Sequence, residues 1–130
     1  MSAEHLTELP DIVHTTTVRV RYADTDQMGV VYYAAYLLYF ESGRTELLRA
    51  CGIPYTELEA RGYALPVVEA HLRYHAPAHY DDILEVHTRY RPRYAPTVLL
   101  EYEVRRQDEL IVTGSTLHIF VEIRSRRPVR

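Results

Sequence analysis

Tyr22-Ala23-Asp24-Thr25-Asp26-Gln27-Met28-Gly29-Val30-Val31-Tyr32-Tyr33 lies between two segments of different period. Before it, Val18, Val20 and Tyr22 alternate with Thr17, Arg19 and Arg21, the pattern of a half-buried strand predicted over 13–23. After it, Ala34, Leu37, Leu38, Phe40, Leu47 and Leu48 recur at helical spacing, which predicts a helix from Tyr32 or Tyr33 to about Ala50. The N-terminus of that helix faces the loop and presents backbone N–H groups without intrahelical partners, able to bind an anion or polarise a carbonyl oxygen. Asp26 is expected beside those donors. Gly29 allows a tight backbone path and the approach of a ligand to the main chain without a Cβ in the way. A carboxylate on one side of a carbonyl and aimed N–H groups on the other is what acyl transfer requires. The plainer reading of Asp24 and Asp26 is that they cap the helix or build the turn.

Helix one is expected to stop at Cys51-Gly52-Ile53-Pro54, where a glycine follows the last periodic residue and a proline comes soon after. Residues 55–61 (YTELEAR) have the composition of a short second helix. From Leu65 the period becomes two. Val68, Ala70, Leu72 and Tyr74 alternate with polar residues until Pro77; Leu84, Val86, Thr88 and Tyr90 repeat the scheme, then Val98, Leu100, Tyr102 and Val104. A turn at Gln107-Asp108-Glu109 leads into a last strand, about Leu110 to Ile123, expected to bury Ile111, Leu117, Ile119, Val121 and Ile123. The order β-α-β-β-β-β predicts an α+β domain over 13–123, an antiparallel sheet with one apolar face against one helix. Residues 1–12 are read as a flexible arm and 124–130 as a disordered tail. A sheet covered by one helix leaves exposed edges, so a homo-oligomer is expected: a dimer that pairs an edge strand from each subunit, or a dimer of dimers, that is, a homotetramer.

With 130 residues, 47% hydrophobic and 25% charged, the chain can bury a core of its own. A formal charge of -3, with arginines interspersed among Glu and Asp, argues against nucleic acid as a partner. No apolar run reaches the roughly 18 residues of a membrane span, and MSAEHLTELP has no signal-peptide pattern, so a cytoplasmic protein away from membranes is expected. The single Cys51 allows no intrachain disulfide and is read as core packing. His71, His75 and His79 are four apart, a metal-binding face if helical; in a strand interrupted by Pro77 they do not converge, and no metal is expected. Glu41 and Arg44, at i and i+3 of the helix, read as an ion pair.

The pattern Tyr-x-Asp-Thr-Asp-x-x-Gly-Val-Val-Tyr at 22–32, followed by Ala-x-Tyr-x-x-x-Phe-Glu at 34–41, resembles the signature of hot-dog-fold thioesterases of the 4-hydroxybenzoyl-CoA thioesterase family, acyl-CoA thioesterase branch. Leu65-Pro66-Val67-Val68-Glu69 and the stretch from Pro77 to Leu84 (PAHYDDIL) resemble the same family's later strands and turn, so the likeness covers most of the chain. The resemblance implies a hot-dog fold, a five-stranded antiparallel sheet wrapped on one long helix, and a site at a subunit boundary. It implies hydrolysis of an acyl-CoA thioester to a carboxylic acid and free coenzyme A, with no cofactor. Asp26 matches the catalytic carboxylate, as nucleophile or general base, and the backbone N–H of Tyr33 matches the group that holds the thioester carbonyl. Asp24 is not the match, and Asp24→Asn is expected to cost about 1 kcal/mol or less through loop order and capping. Gly29, Val31 and Tyr32 are expected to line the substrate, Glu41 the acyl end, and Arg91, Arg93 and Thr97 the phosphates of coenzyme A. The chain departs from the short-chain acyl-CoA branch at Tyr33, where many members have His, and at Ala35, where they have Asn. Having no Asn at all, it also lies outside hot-dog subclasses whose catalytic residue is Asn. A hot-dog hydratase or dehydratase would need a His near the helix start, and Val31, Tyr32 and Tyr33 supply none. An acyl-CoA-binding module without catalysis is the other alternative.

Overall fold

The computed structural model of the protein describes residues 12–91 and 96–129; the expected N-terminal arm, as far as residue 11, lies outside the described residues. β1 (Ile12–Arg19) leads through a 3-10 turn at Tyr22–Asp24 to α1 (Ala35–Ala50), α2 (Tyr55–Ala60) and a short β2 (Tyr63–Ala64). The long strands β3 (Val67–Tyr74), β4 (Ile83–Arg91), β5 (Thr97–Arg106) and β6 (Glu109–Ile119) follow, then β7 (Val121–Glu122) and β8 (Arg127–Pro128). The main sheet has the order β1-β4-β5-β6-β3, antiparallel throughout, and α1 packs against β1, β4 and β5. This is the hot-dog arrangement. Among the described residues, no helix is long and apolar enough to cross a membrane.

The period-two reading holds in the middle of the sheet. Leu84, Val86, Thr88 and Tyr90 of β4 and Val98, Leu100, Tyr102 and Val104 of β5 are buried, as alternation on a sheet with one covered face demands. β6 is out of phase with its expectation. Ile111 is an extra residue in the β5–β6 ladder, because Val104 pairs with Val112 and Arg105 with Leu110. Both Ile111 and Val112 are therefore buried, and beyond the bulge the inward set becomes Thr116 and His118, with Phe120 after the strand, instead of Leu117 and Ile119. The two polar members are satisfied in place: the Tyr102 and Thr116 hydroxyls lie 2.6 Å apart, and His118 meets Thr116 Oγ1 at 2.8 Å and the Leu65 carbonyl at 2.9 Å. Burial pushes the His118 pKa down, keeping the imidazole neutral in this network.

Helix one also differs from its expected phase. Tyr36, Tyr39, Phe40, Gly43, Leu47 and Leu48 are buried, whereas Leu37 and Leu38 are 38% and 53% exposed. The buried set follows i, i+3, i+4, i+7 from Tyr36, so aromatic rings occupy the stripe that the leucines were expected to fill. Phe40 stacks on Tyr102 with ring centroids 4.1 Å apart and planes 2° from parallel. The first strand is shorter than predicted: it ends at Arg19, and of the expected inward residues Tyr22 is exposed. The expected disordered tail differs too. Arg127 and Pro128 form β8 on β7, which pairs with β2, and the Val129 N–H donates to the Phe120 carbonyl at 2.8 Å.

Candidate active site

The loop from Asp24 to Tyr33 is a small hairpin. Thr25 and Val31 form an antiparallel bridge, the Asp26 N–H donates to the Val30 carbonyl at 2.9 Å, and the Gly29 N–H donates to the Asp26 carbonyl at 3.0 Å. Gly29 has φ of +78°, so the loop is a four-residue turn closed by a left-handed glycine, a hairpin type in which only glycine sits without strain. Among the described residues, no atom beyond its two chain neighbours lies within 4 Å of where a Gly29 Cβ would be, so the requirement is conformational rather than steric. Asp26 opens the turn, and its Oδ1 accepts the Met28 N–H at 2.8 Å. The side chain is exposed. The hairpin rests on the turn before β4, where the Val31 N–H donates to the Ala78 carbonyl at 2.8 Å and Val30 bridges His79.

Asp24 is placed differently, only 4% exposed. Its Oδ2 accepts the Arg21 N–H at 3.0 Å and the Tyr39 hydroxyl at 2.9 Å, and its Oδ1 accepts the Arg21 guanidinium at 3.0 Å. Burial alone would push this carboxyl up, but those donors together outweigh it and hold the pKa below the ordinary carboxylate value. Burial first, and then this donation, pushes the Tyr39 phenol up, so Tyr39 stays protonated and donates. Sequence reasoning gave Asp24 a capping or turn-building role; its partner Tyr39, fifteen residues on, makes it a buried structural anion as well.

Helix α1 begins at Ala35, with Ala34 as its N-cap, two or three residues later than expected. The reason is a turn in which the Ala35 N–H donates to the Tyr32 carbonyl at 2.9 Å and Ala34 has φ -80° and ψ -16°. Those angles suit the third position of a type I turn and put Tyr33 at the second, where the N–H has no bond within the turn. Among the described residues the Tyr33 N–H has no hydrogen-bond partner. Tyr32 is held on both sides, its N–H donating to the Asp24 carbonyl at 2.8 Å. Its phenol pKa is raised, first by the hydrogen bond with Tyr33 and least by the charge of Asp26. Tyr33 opens onto a cavity of about 330 Å³ walled by Val30, Val31, Tyr36, Tyr74, Ala76 and Pro77, with His75 as its polar member. Burial, then the Tyr74 phenol, pushes the Tyr36 pKa up to about 12, so that ring behaves as a neutral wall.

The structure thus gathers Gly29, Val31, Tyr32, Tyr33 and Asp26 into one loop, with Val31 5% exposed as part of the core. Glu41 is elsewhere. It borders a separate cavity of about 250 Å³ with Arg44, Tyr55, Leu65 and His118, and its carboxylate lies 4.0 Å from the Arg44 guanidinium. Arg91, at the end of β4, donates from Nε to Glu101 at 2.6 Å. Thr97 opens β5 opposite Ile119, and Arg93 lies outside the described residues. Of the three spaced histidines, His71 is 3.4 Å from Glu69, His75 is 2.9 Å from Thr113, and His79 is 3.9 Å from Asp82. Among the described residues no three potential metal ligands cluster. Sequence reasoning missed Tyr36, Tyr39 and Tyr74; the available signal was the i, i+3 spacing of Tyr36 and Tyr39, whose rings meet edge to face at 5.6 Å.

The sequence matches the thioesterase-like superfamily over residues 20–130. It is 36% identical to YneP of Bacillus subtilis, named as a candidate acyl-CoA thioesterase, over 87% of this chain and 83% of that protein. It is 35% identical to the acyl-CoA thioester hydrolase YbgC of Escherichia coli O157:H7, over 85% of this chain and 84% of the relative. The crystal structure of a DHNA-CoA thioesterase from Staphylococcus aureus superposes with a TM-score of 0.87 at 29% identity, covering 91% of this chain and 80% of that one. The chain belongs to the thioesterase-like superfamily.

Proposed function

We propose that the protein hydrolyses an acyl-CoA thioester to a carboxylic acid and free coenzyme A. Asp26 attacks the thioester carbonyl, or takes a proton from a water that does, and the Tyr33 N–H stabilises the oxyanion that forms. Collapse of the tetrahedral intermediate breaks the C–S bond and releases the coenzyme A thiolate. If Asp26 is the nucleophile, water then cleaves the acyl-aspartate anhydride and regenerates the carboxylate. The observation that carries this reading is the Tyr33 N–H, without a partner among the described residues, at the mouth of an apolar and aromatic cavity and seven residues from an exposed carboxylate in the same loop. Relatives named as thioester hydrolases, similar over more than four-fifths of both chains, support it.

The active unit is a dimer joined at the free edge of β3, which can pair again as a dimer of dimers. Among the described residues β3 is bonded on one side only, to β6, and Val67, Val68 and Tyr74 are 44–48% exposed. Thiol release followed colorimetrically over short, long and aromatic acyl-CoAs tests the activity. Asp26→Asn keeps the shape of the turn and removes the anion, so turnover should fall about 100- to 10,000-fold while acyl-CoA still binds. No thiol release from any member of the panel, or wild-type turnover in Asp26→Asn, would overturn the proposal.

A further inference from the structure

The geometry assigns to the Tyr74 hydroxyl a positioning role: it anchors the peptide that follows the one carrying the Tyr33 N–H, and so limits how that N–H can turn. The inference rests on the proposed role of that N–H. Rotating it requires the peptide groups on either side to move. That N–H shares its peptide group with the Tyr32 carbonyl, which accepts the Ala35 N–H at 2.9 Å, and on the near side the Tyr32 N–H is bonded to the Asp24 carbonyl at 2.8 Å. On the far side, the one bond the Tyr33 carbonyl accepts among the described residues comes from the Tyr74 hydroxyl at 2.9 Å, donated across 41 residues from the edge strand β3.

Tyr74 is held in turn. Its ring meets Tyr36 edge to face at 5.8 Å, Tyr36 meets Tyr39 at 5.6 Å, and the Tyr39 hydroxyl donates to the Asp24 carboxylate at 2.9 Å. Since the Asp24 carbonyl holds Tyr32, the contacts close into a ring: Tyr74, Tyr36, Tyr39, Asp24, Tyr32, Tyr33 and back to Tyr74. Three of these residues are tyrosines on α1 and β3, and none needs to touch the reacting atoms. Burial and the neighbouring Tyr33 push the Tyr74 pKa up, so the phenol remains a donor at neutral pH. Tyr74 also borders the cavity, so a simple wall role must be separated from a positioning one.

Tyr74→Phe keeps the ring and removes the bond. An oxyanion donor is worth about 100- to 1,000-fold, and a slackened one should lose part of that, so kcat is expected to fall about 10-fold with KM within 2-fold of wild type. A wall residue would instead raise KM and leave kcat in place. In a double-mutant cycle with Tyr33→Pro, which deletes the N–H, adding Tyr74→Phe should cost less than about 2-fold, because nothing is left to position. Independent losses that multiply would overturn the inference. If Tyr33→Pro does not fold, the Tyr33 amide resonance of isotope-labelled protein gives the same answer: it should shift in Tyr74→Phe, and an unmoved resonance overturns the assignment. Damaged Asp26→Asn with unaltered Tyr74→Phe defeats this inference alone; wild-type turnover in Asp26→Asn defeats the underlying reading with it.

Discussion

Replacing Asp24 by Asn puts an amide nitrogen among groups that were all donating to a carboxylate. The Tyr39 hydroxyl can rotate and accept, but the Arg21 N–H and guanidinium cannot, so a donor in a nearly buried site faces another donor. Asp24→Asn is therefore expected to cost about 1–3 kcal/mol, more than the capping contribution expected from sequence. Most of that is desolvation, since Arg21 is itself exposed and its charge is screened. The pH dependence has a definite sign. The folded pKa of Asp24 lies below that of the unfolded chain, near 3.9, so its stabilisation is present above about pH 4 and is lost as pH falls through the folded value. Chemical denaturation at pH values from 7 downward should show a shallower acid loss in Asp24→Asn than in wild type, though not a flat one, because Asp82 is also depressed: burial raises it, and the His79 N–H and Arg106 outweigh that. An unchanged slope would show that Asp24 does not carry the acid sensitivity. Two aspartates separated by one threonine are alike in sequence; what distinguishes them is a tyrosine fifteen residues on that turns one of them inward.

Within the elements, period was legible and phase was not always. β4 and β5 run without irregularity, so their alternation in sequence is their alternation in space. β6 contains one extra residue at Ile111, and a one-residue slip exchanges the faces of everything after it. Hydrophobicity chose Leu117 and Ile119 for the interior; Thr116 and His118 went there because Tyr102 and the Leu65 carbonyl supply their partners. Gly114 explains how β6 admits a ring from α1. A Cβ there would come within 2.8 Å of two atoms of Phe40 and closer still to the His71 carbonyl, and Phe40 is held flat on Tyr102. Alanine ordinarily gains up to about 1 kcal/mol over glycine through the unfolded chain. Here the carbonyl cannot retreat without breaking the β3–β6 ladder, so Gly114→Ala should be net destabilising, by about 1–3 kcal/mol, visible as a melting temperature several degrees lower. A variant as stable as wild type would mean that Phe40 and β3 shift at little cost.

At the scale of the whole molecule, the sheet and the helix leave apolar surface exposed among the described residues. Leu37 and Leu38 on α1 and Val67 and Val68 on β3 are all more than one-third exposed, and the Tyr74–Tyr33 contact joins β3 to the start of α1. The leucines misplaced in the sequence reading are thus apolar surface that a second copy of the chain would have reason to cover. β3 also carries a bulge between Val67 and Glu69, and its outer side has no partner strand among the described residues. If a second copy covers this edge, light scattering should give a mass of at least twice 15.2 kDa at micromolar concentration. Val67→Asp combined with Val68→Asp places two charges on side chains about half exposed in the monomer, so the fold should lose little while association weakens markedly. Turnover should fall with the dimer fraction and recover as protein concentration is raised, because the edge strand that would carry the interface also carries Tyr74. A variant that is monomeric by scattering yet fully active at all concentrations would show that one chain is a complete enzyme and that the exposed edge serves some other contact.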